Sequence, residues 1–431
     1  MNTYLEKIAH VPPWDNGAGP LWNRASSIIA RIGEDVVISL PVLNPGMTNL
    51  SRVSPALYVK RGDAQFVRMY HDPAHFTREP MPIMVTPGGE LVMTVNPMLG
   101  QPRYDGPRQG DPSRPEILIF CPENGYQSPV RQVSRWSEDF TFIEHSYRGS
   151  AIDRETGEMI LVNQFVENDQ GKFAWTYRDT EGNYPSSGRL TFPVRTCYAP
   201  ISIRNRQVHI VGVSDIHEPN VDWKNYKFQH TQREWDYDFR MLLYKTCDDI
   251  ALGRFTETIC IASRDETCGY VFPQDIYADD NGVCHVLYTT RRIWHPFMRD
   301  RFFPHVEFES TLEYAAVKNG SVIHRALLDR DAEAADGKFI ETEYCASFQE
   351  LTDGSMVILY SKWNSPGHTQ RPDGYYRAGL NSLGDAVPVK LSIPPSMFCL
   401  AGRRSGNRPR DAADVFILAG EDAYYASVPM T

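Results

Sequence analysis

The chain repeats a two-part hydrophobic pattern seven times. In each unit an apolar run, a short turn and a second, almost wholly apolar run follow one another. The units occupy residues 26–40, 82–95, 149–162, 200–213, 272–288, 347–360 and, in a degenerate form, 396–420. Each predicts a β-hairpin, because an unbroken apolar run of this length suits a strand buried on both faces. The turns contain Gly-Glu-Asp, Gly-Gly, Glu-Thr-Gly, Asn-Gly or Asp-Gly, which supply the positive φ angles that tight hairpins need.

The spacing of these units predicts the architecture. The turns recur roughly every 50–75 residues, and a second pair of strands fits between consecutive units. Four strands per repeat at this period predict an all-β propeller of four-stranded antiparallel blades. We expect seven blades, with six or eight as alternatives because the last repeat is weak. The seventh offers only three strands, so the N-terminal segment, about residues 3–10, is predicted to supply the fourth and close the ring. Residues 1–431 then form one domain.

Helical periodicity is scarce, and the longest connections lie within blades. Residues 325–337 predict a turn or two of helix that ends at Gly337. Three long segments separate strand pairs, namely 100–115 in the second blade, 217–240 in the fourth and 291–311 in the fifth. Loops of this length in a compact scaffold usually carry function.

Composition restricts the partners and the compartment. The net charge of −10 argues against binding to nucleic acid or to a membrane surface, which requires a basic field. No run approaches the roughly 18 apolar residues of a membrane helix. The N-terminus has no apolar core of signal-peptide length, and the eight cysteines show no CxxC spacing. We therefore expect free thiols and a cytoplasmic protein, unless a leader has been removed.

Aromatic and basic residues recur where each innermost strand begins. A tyrosine stands there in four consecutive units, accompanied by histidine or arginine in several of them. The candidates are Arg24, His145, Tyr147, Arg148, Arg195, Tyr198, Tyr270 and Tyr344. In a propeller these points meet at one mouth of the channel, so the pattern predicts a shared binding site. Packing between blades is the alternative for any single tyrosine.

Histidine, tyrosine and arginine together suit β-elimination on a uronic acid. Arginine offsets the carboxylate charge, and histidine or tyrosine removes the neighbouring proton and protonates the departing glycosidic oxygen. Hydrolysis instead uses two facing carboxylates. The acidic residues nearest the mouth form no clear pair by sequence: Asp153, Asp275, Glu341 and Glu343. We predict a lyase, with a hydrolase or a non-catalytic propeller that binds a glycan or a protein as alternatives.

The stretch RTCYAPISIRNRQVHIVGVSD (195–215) and the His-x-x-Arg at 145–148 resemble a known group of propellers. These are the sialidase-like BNR-repeat propellers, and within them the branch of ulvan lyases and the related rhamnosyl-glucuronate lyases and hydrolases. The resemblance implies an acidic polysaccharide held over the channel. It also implies proton transfer by His145 and Tyr198 and neutralisation of the uronate by arginine. The Asp-box of true sialidases is absent from every turn, which argues against sialidase activity.

A second basic and aromatic cluster lies in residues 291–305. Arg291 and Arg292 are its candidates for binding an acidic substrate, because arginine grips anionic groups through a bidentate fork. An inter-blade or dimer contact is the alternative, since arginine and aromatic residues also dominate interfaces.

No cofactor is predicted from sequence motifs. A structural zinc site is possible by residue type, because sulfur and nitrogen ligands are available from Cys268, Cys284 and His285, with Cys260 or Cys247. The resemblance adds that related lyases bind structural zinc or calcium.

Overall fold

Seven antiparallel sheets surround a central channel in the computed structural model, which describes residues 3–22, 26–145, 147–167, 170–234, 238–333, 341–365 and 371–431. The first strand of each sheet contacts the first strands of its two neighbours, and these contacts run around the whole ring. The predicted all-β, seven-bladed propeller is therefore confirmed. The strands of each blade follow one another from the channel outward.

Each of the first six blades has four strands in chain order. In blades 1 to 3 they are Ile29–Ile32, Asp35–Ser39, Ala56–Arg61 and Val67–His71; Ile83–Val85, Leu91–Val95, Glu116–Phe120 and Val130–Val133; and Gly149–Ile152, Met159–Glu167, Gln170–Arg178 and Ser186–Leu190. In blades 4 to 6 they are Ile201–Arg204, Gln207–Ser214, Met241–Cys247 and Ile259–Ser263; Tyr270–Ala278, Cys284–Arg291, Glu309–Lys318 and Ser321–Ala332; and Glu343–Glu350, Met356–Trp363, Gly374–Gly379 and Val387–Val389.

Blade 7 is assembled from both ends of the chain. Met397–Leu400, Ala412–Ala419 and Asp422–Pro429 form its first three strands. Tyr4–His10 pairs antiparallel with Asp422–Pro429 as the outermost strand. The prediction that the N-terminal segment completes the ring is confirmed, and the closure covers an edge that would otherwise be open to association.

The few helices lie in the long connections. Helix α1 (Val221–Thr231) separates the second and third strands of blade 4, and helix α2 (Pro296–Phe302) does the same in blade 5. The Asn220 side chain caps α1 by accepting hydrogen bonds from the backbone N–H groups of Asp222 and Trp223. No described helix has the length and apolar character needed to cross a bilayer. Short strands and 3-10 turns complete the elements: Val42–Leu43, Val53–Ser54, Pro112–Ser113, Phe142–Ile143, Thr196–Cys197, Pro122–Asn124 and Asp265–Thr267.

The helix predicted over residues 325–337 is wrong. Residues up to Ala332 belong to the strand Ser321–Ala332, which pairs antiparallel with Glu309–Lys318. Residues 334–340 lie outside the described part of the chain. Leucine and alanine favour a helix by propensity, but the open edge of the neighbouring strand offers a full ladder of backbone hydrogen bonds and decides the conformation.

The core lies between neighbouring blades. Val37 of blade 1 and Ile83 and Leu91 of blade 2 belong to one buried cluster, and the strand Leu91–Val95 is buried along its whole length. This agrees with the wholly apolar second run of each repeat. All eight cysteines are free thiols, as predicted, and five of them are buried: Cys197, Cys247, Cys268, Cys284 and Cys345.

A loop from blade 7, residues 401–410, closes the channel at the end that carries the inner hairpin turns. We call it the plug. Ser405 forms a parallel bridge with Ile152 of blade 3, and its carbonyl oxygen accepts the N–H of Val85 of blade 2 at 2.9 Å. Gly406 has φ +80°, and a Cβ atom there would overlap the carbonyl oxygen of Val85. Only glycine allows the plug to lie this close to the inner strands.

Candidate active site

His145 lies where the chain enters the first strand of blade 3. Its Nδ1 atom is 3.4 Å from Oε1 of Glu79, a side chain that is only 1% exposed. Burial by itself would raise the pKa of Glu79, but His145 and the charges of Arg148 and Arg78 outweigh it and hold that pKa below its ordinary value. Glu79 is therefore an anion that pairs with one ring nitrogen of His145. The other nitrogen, Nε2, makes no hydrogen bond with the residues that the structure describes.

Tyr147 and Tyr198 meet His145 around Trp22. The ring centroid of Trp22 lies 5.1 Å from that of His145, 5.0 Å from that of Tyr147 and 5.3 Å from that of Tyr198. Tyr147 is in turn 4.2 Å from His145 and 4.9 Å from Tyr198. The structure thus brings the two predicted catalytic residues, from blades 3 and 4, into one aromatic cluster.

Both tyrosines have a backbone conformation that is costly for a side-chain-bearing residue. The φ angle is +39° at Tyr147 and +46° at Tyr198. This left-handed region costs about 1–2 kcal/mol per residue, so it persists only where the surroundings impose it. Blades 3 and 4 also approach closely here, because a Cβ atom at Gly149 would overlap the carbonyl oxygen of Ala199. Strained turns at equivalent points of two blades hold both rings in the same cluster.

The two tyrosines keep their protons at neutral pH. Burial raises the pKa of Tyr147 and of Tyr198 far above the usual value, and the nearby Cys197, Asp215 and Glu79 act in the same direction. Each hydroxyl therefore stays protonated and can donate a hydrogen bond.

Arg195 carries positive charge beside this cluster. Its guanidinium lies 3.1 Å from Oδ2 of Asp215, which is fully buried, while the Arg195 side chain is 21% exposed. Burial raises the pKa of Asp215, and the charges of Arg195 and His145 only partly offset it. Arg195 therefore pairs with a buried carboxylate at the edge of the cluster.

Arg148, by contrast, is buried beneath the mouth. It donates to the backbone carbonyls of Glu79, at 3.3 Å, and Pro80. Burial lowers the pKa of Arg148 to about 10, although Glu79 opposes this effect. Arg148 thus supports the segment that carries Glu79, and its contact with a substrate stays a prediction. Arg24 lies outside the described residues.

The remaining predicted binding residues lie in blades 5 and 6. The Arg291 guanidinium is 5.6 Å from the ring centroid of Tyr270 and 2.5 Å from Glu343. Tyr270, Arg291 and Tyr344 line one small cavity of about 20 Å³, enough for a single water molecule. Tyr344 is otherwise buried in the core between the two blades, and Arg292 is exposed. The binding role of these four residues stays a prediction.

A row of aromatic rings extends from the cluster towards the helices. Ring centroids lie 4.9 Å apart for Tyr198 and Phe272, 5.9 Å for Tyr198 and Phe239, and 6.2 Å for Phe239 and Trp294. Trp294 then stacks on His295 at 5.1 Å. All of these rings except Phe272 are partly exposed. They offer the flat apolar faces on which sugar rings stack.

The basic and aromatic cluster at 291–305 divides into two parts. Trp294 and His295 continue the aromatic row, whereas α2 packs against α1 of the neighbouring blade. There the Phe297 ring stacks on His230 at 4.5 Å, and the Arg301 guanidinium lies 4.4 Å from the centroid of Tyr226. The inter-blade contact given as the alternative thus accounts for α2.

A groove of about 590 Å³ runs outward between blades 3 and 4. Its lining includes Lys172, Arg195, Asp215 and His217. Lys172 pairs with Glu167 at 2.5 Å, and Arg195 pairs with Asp215. The volume is typical of sites that take small organic ligands. Arg195 and Asp215 stand where this groove meets the aromatic cluster.

The proposed zinc ligands do not form a set. His285 Nδ1 lies 2.6 Å from the hydroxyl oxygen of Tyr314, and Cys284 is buried in the core between blades 4 and 5. Cys268 lies elsewhere, beside Glu218, and burial raises the pKa of its thiol to about 12. A protonated thiol is a poor zinc ligand.

Cys268, Glu218 and Asp238 are the only three potential ligands that the described residues bring together. Lys227 already occupies this place, with its Nζ atom 2.7 Å from Glu218 and 2.8 Å from Asp238. Arg240 pairs with the same two carboxylates. The residues present therefore do not fit a divalent metal; they anchor α1 to the blade.

Two charged members of the site were not predicted from the sequence: Glu79 and Asp215. Glu79 stands just before the first strand of blade 2, the same place in the repeat as the predicted residues. A search of that place for carboxylates as well as basic residues would have found it. Asp215 follows the second strand of blade 4, and only the tertiary structure places it beside Arg195.

No family model and no curated protein matches this chain. Solved structures do. An ulvan lyase matches with TM-score 0.54 at 9% identity, over 98% of this chain and 95% of that one. The same kind of lyase bound to -[GlcA(1-4)Rha3S]- matches with TM-score 0.55 at 10% identity over the same shares. A further polysaccharide lyase matches with TM-score 0.54 at 9% identity, over 94% and 90% of the two chains.

The chain has the fold of these lyases. The predicted resemblance to the ulvan lyase branch is confirmed at the level of the fold, and sequence identity this low extends no further. The BNR-repeat and sialidase-like part of the resemblance stays a prediction.

Proposed function

We propose that this protein is a polysaccharide lyase that cleaves next to a uronic acid by β-elimination. The observation that carries the proposal is the Glu79–His145 pair, joined through Trp22 and Tyr147 to Tyr198. A histidine with one nitrogen held by a buried anion is a suitable base. A tyrosine that keeps its proton is a suitable acid.

The proposed reaction uses each group once. Nε2 of His145 takes the proton from the carbon that bears the carboxylate. The electron pair left behind forms a carbon–carbon double bond, and the bond from the next carbon to the glycosidic oxygen breaks. The Tyr198 hydroxyl protonates that oxygen. Arg195 offsets the charge of the substrate carboxylate, which makes the proton more acidic. Solvent then returns a proton to Tyr198 and accepts one from His145.

The substrate we propose is an acidic glycan. The groove between blades 3 and 4 is lined by Arg195 and His217, which can contact anionic groups, and by Lys172, which also pairs with Glu167. The aromatic row offers apolar faces to sugar rings. A basic groove within a chain of net charge −10 is a local feature, which favours selective contact with an acidic sugar over general attraction to polyanions.

Two alternatives are less well supported. An inverting or retaining hydrolase needs two carboxyl groups that flank the scissile bond. Here Glu79 and Asp215 are both buried, and each is paired, Glu79 with His145 and Asp215 with Arg195. A purely binding propeller would have no need for two strained tyrosines beside a histidine that pairs with a buried glutamate.

The carbon–carbon double bond formed by β-elimination can be detected by its ultraviolet absorbance. We expect incubation with uronate-containing glycans to raise the ultraviolet absorbance of unsaturated uronate as reducing ends appear. Reducing ends without that absorbance would indicate a hydrolase. If binding were detected without either product, the protein would be a binding module.

Two substitutions test the assigned roles. We expect His145→Ala and Tyr198→Phe each to lower turnover by at least about 100-fold with folding unchanged. His324→Ala and Tyr104→Phe are matched controls, because both residues are exposed and neither belongs to the aromatic cluster, and they should retain activity. Full activity in either test variant would contradict the proposal.

A further inference from the structure

A second cavity lies at the opposite end of the channel, where the inner hairpin turns of blades 1 to 3 meet the plug. Its volume is about 400 Å³, and Gly33, Gly89 and Arg154 mark the three turns that line it. The plug contributes Arg408 and Arg410. The cavity shares no lining residue with the groove between blades 3 and 4.

Four arginines line this cavity: Arg31, Arg154, Arg408 and Arg410. None of the acidic side chains in the described ranges lines it. In a chain with an excess of acidic residues, a cavity lined by one sign of charge is a local exception. It concentrates anions of matching size.

Two of these arginines are held in place from behind. Arg31 forms a bidentate pair with Asp414, at 2.6 and 2.7 Å, and Asp414 is buried. Arg154 pairs in the same way with Glu350. These carboxylates fix the direction of the guanidinium groups, which lowers the entropy that a ligand must overcome on binding.

The other two arginines are less completely paired. Arg408 is exposed and makes no ion pair within the described part of the chain. Arg410 only approaches Asp414, at 3.7 Å, and that carboxylate already serves Arg31. That approach is made by the Nε atom of Arg410, which is buried and makes no hydrogen bond with the described residues. A buried donor of this kind costs free energy unless an acceptor reaches it.

We propose that this cavity is an anion site that binds the phosphate or sulfate group of a small ester. Arg408 and Arg410 grip the anionic group, and Arg31 and Arg154 complete the positive lining. Tetrahedral oxyanions match the guanidinium fork and accept several hydrogen bonds at once. The volume admits the ester's organic part but not a polymer, so the ligand is a small molecule. This site is independent of the proposed lyase activity.

Calorimetric titration at constant ionic strength in chloride buffer tests the proposal. The probes are inorganic phosphate, inorganic sulfate, phenyl phosphate and phenyl sulfate. We expect at least one ester to bind with a stoichiometry of about one, and the Arg408→Gln/Arg410→Gln variant to lose about tenfold or more in affinity. The comparison between probes distinguishes phosphate from sulfate recognition.

Arg61→Gln/Arg68→Gln is the matched control, because it removes the same charge from exposed positions on the third and fourth strands of blade 1. It should bind the probes as the unaltered protein does. The proposal fails if no probe binds, if the plug variant binds equally well, or if the control loses as much affinity as the plug variant. Circular dichroism of both variants verifies that each is folded.

Discussion

Glu79 is the residue that orients His145 in the candidate site. A buried carboxylate beside an imidazole fixes which ring nitrogen is free and stabilises the protonated ring once it has taken up a proton. Glu79 keeps its charge because His145, Arg148 and Arg78 outweigh the effect of burial on its pKa. It does not reach a substrate, so we regard it as a positioning residue.

Glu79→Gln is expected to lower kcat by on the order of 100-fold while KM changes little. The amide keeps the shape of the side chain and removes its charge. The imidazolium then loses an anionic neighbour, so the acid limb of the pH–rate profile should move to lower pH. A purely structural role would lower activity without moving that limb, and an unshifted profile would contradict this assignment.

His209 is a second residue whose charge state depends on the fold. It is buried, and its Nδ1 lies 2.6 Å from the Tyr244 hydroxyl oxygen. Burial lowers the pKa of His209 from 6.5 to about 4, with Asp248 and Asp279 opposing and His285 adding to the effect. The neutral ring therefore stabilises the fold above pH 6.5. Between pH 6.5 and 4 the unfolded chain binds a proton that the folded protein does not. The free energy of unfolding therefore falls as the pH is lowered through this interval, by roughly 3 kcal/mol at most.

His209→Gln should unfold with a weaker dependence on pH than the unaltered protein between pH 6.5 and 4. Glutamine keeps a polar partner for Tyr244 but does not titrate. Urea unfolding at several pH values in this interval measures the difference. The exposed His324→Gln serves as the control and should follow the unaltered protein. Identical pH dependence in all three proteins would show that His209 does not contribute.

At the scale of elements, the plug is the most specialised part of the propeller. In the other six blades a tight turn joins the first two strands, whereas in blade 7 residues 401–410 fill this place and close the channel. Arg404 of the plug lies 2.8 Å from Asp275 of blade 5, and Ser405 bridges to blade 3. The seventh repeat is degenerate in the sequence because a long loop that closes the channel replaces the tight hairpin turn.

Gly406→Ala should destabilise the protein by at least about 3 kcal/mol, because the new Cβ overlaps main-chain atoms of blade 2 that cannot move freely. Gly420→Ala is a matched control. Its φ is also positive, at +61°, but nothing lies within 4 Å of the added atom. The control should lose only about 1–2 kcal/mol. Equal losses in urea unfolding would mean that the plug does not pack as described.

At the scale of the whole molecule, ring closure by Tyr4–His10 determines how the blades hold together. The strand pairs along Asp422–Pro429, so both ends of the chain lie in one sheet. Each blade contacts two neighbours around a complete ring, so opening the ring at one blade removes support from the blades on both sides. An open blade 7 would also present a free strand edge to other molecules.

Deletion of residues 1–10 should lower the midpoint of urea unfolding and promote association at micromolar concentrations. Lys7→Ala is the control, because it removes only the exposed ion pair with Asp422, at 2.8 Å, and leaves the strand in place. Such a pair contributes about 0–1 kcal/mol. Unfolding curves and light scattering measure both effects. A deletion variant that stays monomeric and unfolds at the original midpoint would disprove the role of the closing strand.

Part of the candidate site could be predicted because it follows the repeat. His145, Tyr198 and Tyr270 stand at equivalent points of three blades, and the ring brings His145 and Tyr198 to the same cluster. Tyr344 occupies the same point in blade 6 yet turns into the core between blades. Position in the repeat therefore predicts where a side chain starts, and the packing of its neighbours decides where it points.

The sequence by itself determined the hairpins, the number of blades and the closing strand. These features depend on alternation of side chains, turn residues and length, which are local properties of the chain. Only the tertiary structure decided that Glu79 meets His145, that residues 401–410 plug the channel and that residues up to Ala332 form a strand. Each of these depends on contacts between remote segments, whose free energy exists only once the ring has brought them together.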